Sequence, residues 1–180
     1  MLRSVLRYRP ARPARPWWNV LKTLAFLLLF WFIFLFVVPI AISVVEVDLG
    51  IQRFPSQLVP AGVGLLAFSA LGLWAAVTLA IAGKGTPAPF DTARAFVFRG
   101  PYAHVRNPLV IAAIGQGVAI GLTLGSIPVL VYFATSLVIW HFWIRPSEER
   151  DLDARFGEVW RHYARHVRVF RPRLTPYSGS

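Results

Sequence analysis

Long apolar runs with almost no charge constrain this sequence more than any other feature. The first covers 20–45 and is interrupted only by Lys22 and Thr23, and the second covers 58–83 without a charge. About 20 consecutive apolar residues cross the hydrocarbon core of a bilayer, so each run predicts a membrane-spanning helix. The first run is too long and too aromatic for a cleaved signal peptide, and Pro39 is expected to kink or end its helix.

A third apolar stretch, 109–144, is too long for one span and long enough for two. Its natural break lies between Gly121 and Pro128, where glycine, serine and proline favour a tight turn. The sequence therefore predicts helices over about 109–122 and 126–144. The expected fold is an all-α integral membrane protein of about four transmembrane helices.

The charges indicate how such spans are oriented. The chain has 19 lysines and arginines against 8 acidic residues, a net charge of +11. Four spans would place all of the basic residues except Arg53 on one side, and the positive-inside rule makes that side cytoplasmic. Both termini should then be cytoplasmic, with the bacterial inner membrane as the expected location.

The N-terminal residues 1–19 form a basic head that we interpret as a topology signal resting on anionic lipid headgroups. A nucleic-acid partner is not expected, because no RNA-binding pattern accompanies the basic residues. The chain has no cysteine, which excludes disulfides and thiolate metal sites, and no metal site is expected. Two spans would occupy 20–83, a core of loop, helical hairpin and C-terminal helix would occupy 84–173, and a frayed tail would occupy 174–180.

The loop 84–108 carries much of the polar chemistry. It begins irregularly, continues as an extended apolar patch over 95–99, and turns at Gly100 and Pro101. Asn107 is expected to be the N-cap of the next helix and Pro108 its first residue. Arg106 would then lie at a helix N-terminus, which favours a carboxylate or phosphate ligand. The alternative is that Arg106 and Asn107 only cap the helix.

The segment after the last span predicts an amphipathic helix that breaks near Gly157. Apolar residues recur at intervals of three and four: Leu152, Phe156, Trp160, Tyr163, Val167 and Phe170. Four acids precede or begin this stripe: Glu148, Glu149, Asp151 and Asp153. They could hold a cation, accept hydrogen bonds from hydroxyl groups, or simply complement the helix dipole. An antiparallel hairpin over 109–144 would bring these acids to Arg106.

The motif "RGPYAHVRNP" at 99–108, a hairpin, and then "EERDLDARFGEVWRHYARHVRVFRPR" at 148–173 resemble the isoprenylcysteine carboxyl methyltransferase family, which is grouped with the phospholipid N-methyltransferases. The preceding "GKGTPAPFD" at 83–91 resembles a bacterial branch. The similarity covers about half of the chain.

This resemblance implies an S-adenosylmethionine-dependent methyltransferase, with the cofactor bound by the loop and C-terminal helix. The substrate would be a lipophilic small molecule or lipid, methylated on a carboxyl oxygen or an amine. The resemblance implies these cofactor-binding residues: Val97, Tyr102, His104, Asn107, Pro108, Glu148 and Glu149. It implies these catalytic or substrate-orienting residues: Arg106, Arg145 and Glu149. For an amine substrate, His104 is a candidate base.

Three positions depart from the family pattern. Val110 stands where a tyrosine is common, Ala112 where a glycine is common, and Trp160 where the first tyrosine of the C-terminal motif is common. The cofactor pose or the substrate is therefore expected to differ from those of the family. The alternative function is a non-catalytic membrane protein of the same fold that serves as a binding or assembly factor.

Overall fold

The computed structural model describes residues 8–179, and Arg3 and Arg7 of the predicted basic head lie outside this range. Over the described residues the protein is helical and contains no strand, only two isolated bridges. Four helices dominate: α1 (Pro16–Asp48), α2 (Leu58–Ala82), α3 (Pro108–Leu124) and α4 (Ile127–His166). The predicted all-helical architecture is confirmed.

The first helix is longer than predicted and does not end at Pro39. Its middle, Trp31–Val37, is a π-helix, and regular α-helix resumes at Val38 and continues to Asp48. Proline lacks the N–H group that an α-helix needs, and a local π turn lets an apolar helix shift its hydrogen-bond register around it. Of the two outcomes expected for Pro39, a kink or an end, the end is wrong, because the helix continues through it. The helix also begins at Pro16, inside the predicted head.

The predicted hairpin is present, with α3 and α4 joined at Gly125 and Ser126. Gly125 adopts φ 61° and ψ 30°, a left-handed conformation that glycine adopts without strain. The Ser126 side chain caps α4 by accepting a hydrogen bond from the Val129 N–H.

Small residues let the helices approach closely. A Cβ at Gly117 would lie 2.2 Å from the Phe133 ring, and Gln116 donates to the Ser69 hydroxyl of α2 at 2.8 Å.

The fourth helix runs past the apolar segment. Its apolar part ends at Ile144 in a short π-helix, Trp140–Ile144, and the charged part, Arg145–His166, continues without a gap. The predicted break is present, because Gly157 adopts φ 50° and ψ −125°. The helix ends at His166, so Phe170 is not on the predicted helical stripe and instead contacts the rings of Trp140 and His141.

The tail after α4 is packed, not frayed as predicted. The Tyr177 N–H donates to the Ala103 carbonyl at 2.9 Å, and the Arg173 N–H donates to the His104 carbonyl at 2.9 Å. Tyr177 is 9% exposed and belongs to an aromatic cluster with Trp160 and Tyr163. The chain after the last helix therefore returns along the "GPYAHVRNP" motif, because buried aromatic area offsets the entropy of ordering it.

Three of these helices, α1, α2 and α4, are long and apolar enough to cross a membrane, whereas α3 is apolar but has only 17 residues. Large apolar side chains point outward along them: Leu28 is 63% exposed, Leu66 is 76% exposed and Val131 is 55% exposed. Apolar surface of this extent is expected on a chain whose helices face lipid, and it is compatible with a membrane protein.

Candidate functional site

The loop 84–108 folds against the charged end of the bundle. Its carboxyl-terminal part forms a short 3₁₀ helix, Gly100–Ala103, at the predicted turn. Tyr102 from this turn is buried against Ala75 of α2 and Val97 of the loop. Its main-chain carbonyl accepts a 2.7 Å hydrogen bond from the Tyr163 hydroxyl of α4. The two motifs that sequence analysis singled out are therefore in direct contact.

The start of α3 follows the prediction in position but not in capping. Asn107 precedes Pro108, which is the first residue of the helix, but the Asn107 side chain makes no capping hydrogen bond. Instead, the Asn107 side chain lies near the Glu148 carboxyl group and lowers its pKa by hydrogen bonding. Pro108 is fully buried, which holds the N-terminus of α3 beneath the site.

Arg106 is held on three sides and does not present a free guanidinium. Its Nε donates to the Val167 carbonyl at 2.9 Å, its Nη1 lies 2.8 Å from Glu149 Oε1, and its guanidinium carbon lies 5.6 Å from the centre of the Trp160 ring. Burial lowers its pKa, an effect that the nearby Glu149 carboxylate opposes. Arg145 approaches the same Glu149 oxygen at 3.8 Å. Two guanidinium groups thus share one carboxylate, which leaves a net positive charge for an anionic group.

The four acids do not form a joint cation site. Each of three is paired with an arginine: Glu149 with Arg106, Asp151 with Arg155 at 3.0 Å, and Asp153 with Arg161 at 2.7 Å. In residues 8–179 no group of three or more His, Cys, Asp or Glu side chains is arranged to hold a metal ion. The cation alternative for these acids is therefore not supported by their contacts.

Glu148 differs from its neighbours because it lines a cavity and forms no ion pair with any residue from 8 to 179. Burial raises the pKa of its carboxyl group from 4.5 to about 7, Trp140 and Asn107 lower it by hydrogen bonding, and the nearby Glu149 charge raises it. The position lies beyond the apolar part of α4. A half-buried carboxyl group that changes protonation near neutral pH is typical of a functional site.

The cavity has a volume of about 180 Å³ and lies between the loop 84–108, α4 and the N-terminal residues. Of the residues implied by the family resemblance, five line it: Val97, Tyr102, Arg106, Asn107 and Glu148. Its apolar wall combines aliphatic residues with several aromatic ones, among them Phe96, Phe156, Trp160 and Tyr163. Such a cavity, with a few polar groups on an apolar wall, is the usual form of a small-molecule site.

Four predicted site residues lie behind the wall of the cavity. Glu149 and Arg145 form the ion-pair network with Arg106, and Pro108 is buried below. The His104 ring contacts the Arg173 carbonyl through Nδ1 at 2.9 Å, and its main-chain carbonyl accepts from Arg173. His104 thus anchors the C-terminal tail, and the structure does not bring it to the cavity.

Sequence reasoning missed Tyr8, Arg155 and Trp160 as residues of the cavity wall. Tyr8 belongs to the basic head, which is far away in sequence and offered no signal beyond its charge. Arg155 donates to the Thr92 hydroxyl at 3.1 Å and to the Ala93 carbonyl, and so connects α4 to the loop. Trp160 was noted as part of the apolar stripe and as a departure from the family pattern, but not as a residue of the cavity.

Two hydroxyl groups in the cavity wall lack partners. Tyr102 is 8% exposed, and its Oη has no hydrogen-bond partner among the described residues. The same holds for the Oη of Tyr8. Burial raises the pKa of Tyr102 above its ordinary value, so this phenol is a neutral donor at pH 7. An unpaired buried hydroxyl is costly, and a bound polar ligand would satisfy both groups.

Comparison with known proteins adds no relative: no family model, no curated protein and no solved structure matches this chain.

Proposed function

We propose that this protein is a membrane-embedded, S-adenosylmethionine-dependent methyltransferase that acts on a lipophilic substrate. The observation that carries the proposal is the meeting of the "GPYAHVRNP" and "EER" motifs at one cavity, where Glu148 and the unpaired hydroxyl of Tyr102 face the same space. The fold, with apolar helices on one side of this cavity, suits a substrate that arrives from the bilayer.

The residues present fit the chemistry of such a ligand. The carboxyl of Glu148 accepts hydrogen bonds from hydroxyl or ammonium groups, the Tyr102 hydroxyl donates one, and the aromatic wall offers faces for a purine ring or a sulfonium. Bound there, S-adenosylmethionine would supply an electrophilic methyl group. Tyr102, Asn107 and Glu148 are the residues that would hold it.

The role of the protein in such a transfer is orientation and exclusion of water. The Tyr163–Tyr102 hydrogen bond fixes the motif that carries Asn107, and the aromatic wall keeps the site apolar. The positive group formed by Arg106, Arg145 and Glu149 lies next to the cavity and favours a carboxylate, either of the cofactor or of the substrate.

A carboxylate is already nucleophilic at pH 7, so a carboxyl substrate needs no base. An amine substrate would need one, and His104, the candidate for that role, bonds to the Arg173 carbonyl away from the cavity.

We also propose a topology of four spans with both termini in the cytoplasm of a bacterial inner membrane. The 17 residues of α3 extend about 25 Å at 1.5 Å per residue, which is a little short of a hydrocarbon core of about 30 Å. The side chain of Gln116 in its middle bonds to α2, so α3 is shielded by its neighbours. Four spans keep the cavity and the basic residues around it on one side, which the positive-inside rule makes cytoplasmic.

Isothermal titration calorimetry with S-adenosylhomocysteine tests the proposal on the purified protein. We expect the wild type to bind, Glu148→Ala and Tyr102→Phe to bind at least several-fold more weakly, and Glu158→Ala, on the exposed side of the same helix, to bind like the wild type. No binding by a folded wild-type protein would overturn the proposal and favour a non-catalytic assembly or binding factor. The stability of a labelled product to base then separates N-methylation from ester formation.

A further inference from the structure

The N-terminal strap, residues 8–12, is built into the loop that forms the cavity. The Arg9 N–H donates to the Pro89 carbonyl at 2.8 Å, and the Ala11 N–H donates to the Thr92 carbonyl at 2.9 Å. The Thr92 N–H returns a 2.9 Å bond to the Arg9 carbonyl. These reciprocal bonds form a short strand-like ladder, so this part of the head is held by specific main-chain contacts in addition to its charge.

Further contacts hold the strap against the loop and α4. Lys22, in the first turns of α1, makes a 2.5 Å ion pair with Asp91 of the loop. The Thr92 hydroxyl donates to the Arg9 carbonyl and accepts from Arg155, which itself pairs with Asp151 of the cavity wall. Ala11 is 4% exposed beneath these contacts.

Tyr8 at the start of the strap faces the cavity beside Glu148. Burial, and after it the charges of Glu148 and Asp151, raise the pKa of its phenol to about 12, while the nearby Ser147 hydroxyl and the Arg150 charge lower it. Its hydroxyl is therefore protonated at neutral pH. Both hydroxyls are buried and lie close enough for Ser147 to influence Tyr8, but by distance and angle neither makes a hydrogen bond within residues 8–179. Tyr8 thus adds an unsatisfied donor at the point where Glu148 supplies an acceptor.

We propose that Tyr8 is a ligand-contacting residue whose ring closes the cavity beside Glu148 and whose hydroxyl binds the same polar group of the ligand as the Glu148 carboxyl. A ligand hydroxyl fits this pair, since it donates to the carboxyl oxygen and accepts from the Tyr8 O–H. The identity of the ligand as an adenosyl compound, which carries such hydroxyls on its ribose, rests on the proposed function.

Calorimetry with S-adenosylhomocysteine tests the hydroxyl contact. Tyr8→Phe keeps the ring and removes only the hydroxyl, and we expect it to bind about 10-fold more weakly, as for one lost hydrogen bond in a buried site. Its melting temperature should equal or exceed that of the wild type, because the removed hydroxyl makes no hydrogen bond within the described part of the chain. The matched control is Arg12→Gln, on the exposed side of the same strap, which should change neither quantity. A Tyr8→Phe affinity equal to that of the wild type would overturn the contact.

A second experiment needs no ligand and tests whether the Tyr8 ring covers Glu148, which we call the wall assignment. It measures, by peptide mass spectrometry, the rate at which a hydrophobic carbodiimide modifies the Glu148 carboxyl group. Tyr8→Ala should raise this rate several-fold, whereas Tyr8→Phe should not, because only the alanine opens the wall. Equal rates in Tyr8→Ala and the wild type would overturn the wall assignment. If the wild type does not bind S-adenosylhomocysteine, the proposed function and the hydroxyl contact both fail, and the carbodiimide rates still decide whether Tyr8 covers Glu148.

Discussion

The carboxyl group of Glu148 should make the stability of this protein depend on pH in a definite direction. The unfolded chain ionises this group near pH 4.5, whereas the folded protein holds its proton until about pH 7. Between these values the folded state binds more protons, so this group makes the wild type less stable as the pH rises. In the Glu148→Gln variant the side chain at this position cannot ionise, so the variant does not lose this stability as the pH rises.

The expected size follows from the two pKa values. A difference from 4.5 to about 7 corresponds to about 3 kcal/mol of unfolding free energy once the pH is above 7, and to almost nothing below pH 4.5. For a chain of this length, that is a gain of roughly 6–12 °C in melting temperature for the glutamine variant at high pH. Of the other ionisable groups near Glu148, Glu149 and Asp151 are paired with arginines, and Tyr8 stays protonated over this range.

Thermal unfolding in detergent, followed by tryptophan fluorescence at several pH values from 4.5 to 8, measures this effect. The advantage of Glu148→Gln over the wild type should grow from pH 4.5 to about pH 7 and then level off. The control is Glu158→Gln, whose carboxylate is 75% exposed in a surface ion pair and should show no such trend. A difference between Glu148→Gln and the wild type that is constant with pH, or that shrinks as the pH rises, would refute the reasoning.

Three further substitutions test the packing around the site by their effect on melting temperature. Gly157→Ala should destabilise the protein by about 1–3 kcal/mol, because φ 50° with ψ −125° suits only glycine. No atom lies within 4 Å of the added methyl group, so the cost comes from the backbone alone, and an unchanged melting temperature would show that the break in α4 is not required. Gly117→Ala should lower the stability by about 1–3 kcal/mol, because the added methyl group would collide with the Phe133 ring. The control is Gly62→Ala, whose methyl group meets no atom within 4 Å and should be neutral; equal effects of the two variants would argue against the close α3–α4 packing. Tyr177→Ala should cost about 3–5 kcal/mol, as for a buried aromatic side chain, and a loss below 1 kcal/mol would show that the tail is not docked.

The sequence by itself determined the helical content and the positions of the apolar segments. A bilayer-length run of apolar residues has few alternatives to a helix, because backbone groups in lipid must find partners within the segment. The hairpin turn at Gly125, the start of α3 at Pro108 and the break at Gly157 were also predictable, because glycine and proline restrict or release the backbone locally.

The sequence also identified the two motifs that meet at the cavity, since a hairpin returns its ends to the same side. It did not determine the role of each charge. Arg106 was expected to bind an anion, but it lies 2.8 Å from Glu149, and the acid that lines the cavity without an ion pair among the described residues is Glu148. Which of two adjacent acids pairs with an arginine depends on the rotation of α4, and no sequence pattern encodes that rotation.

Only the tertiary structure decided what the two ends of the chain do. The head had the composition of a topology signal and the tail that of a frayed end, yet Tyr8 lines the cavity and Tyr177 is buried beside Tyr163. The main-chain hydrogen bonds that hold these segments join residues 80 to 83 positions apart for the head, and 69 and 74 positions apart for Arg173 and Tyr177 of the tail. Local propensity and periodicity act over a few turns of helix, so they specify individual segments. The free energy that holds residues 8–12 and the segment after α4 comes from burying them against a site assembled from the rest of the chain.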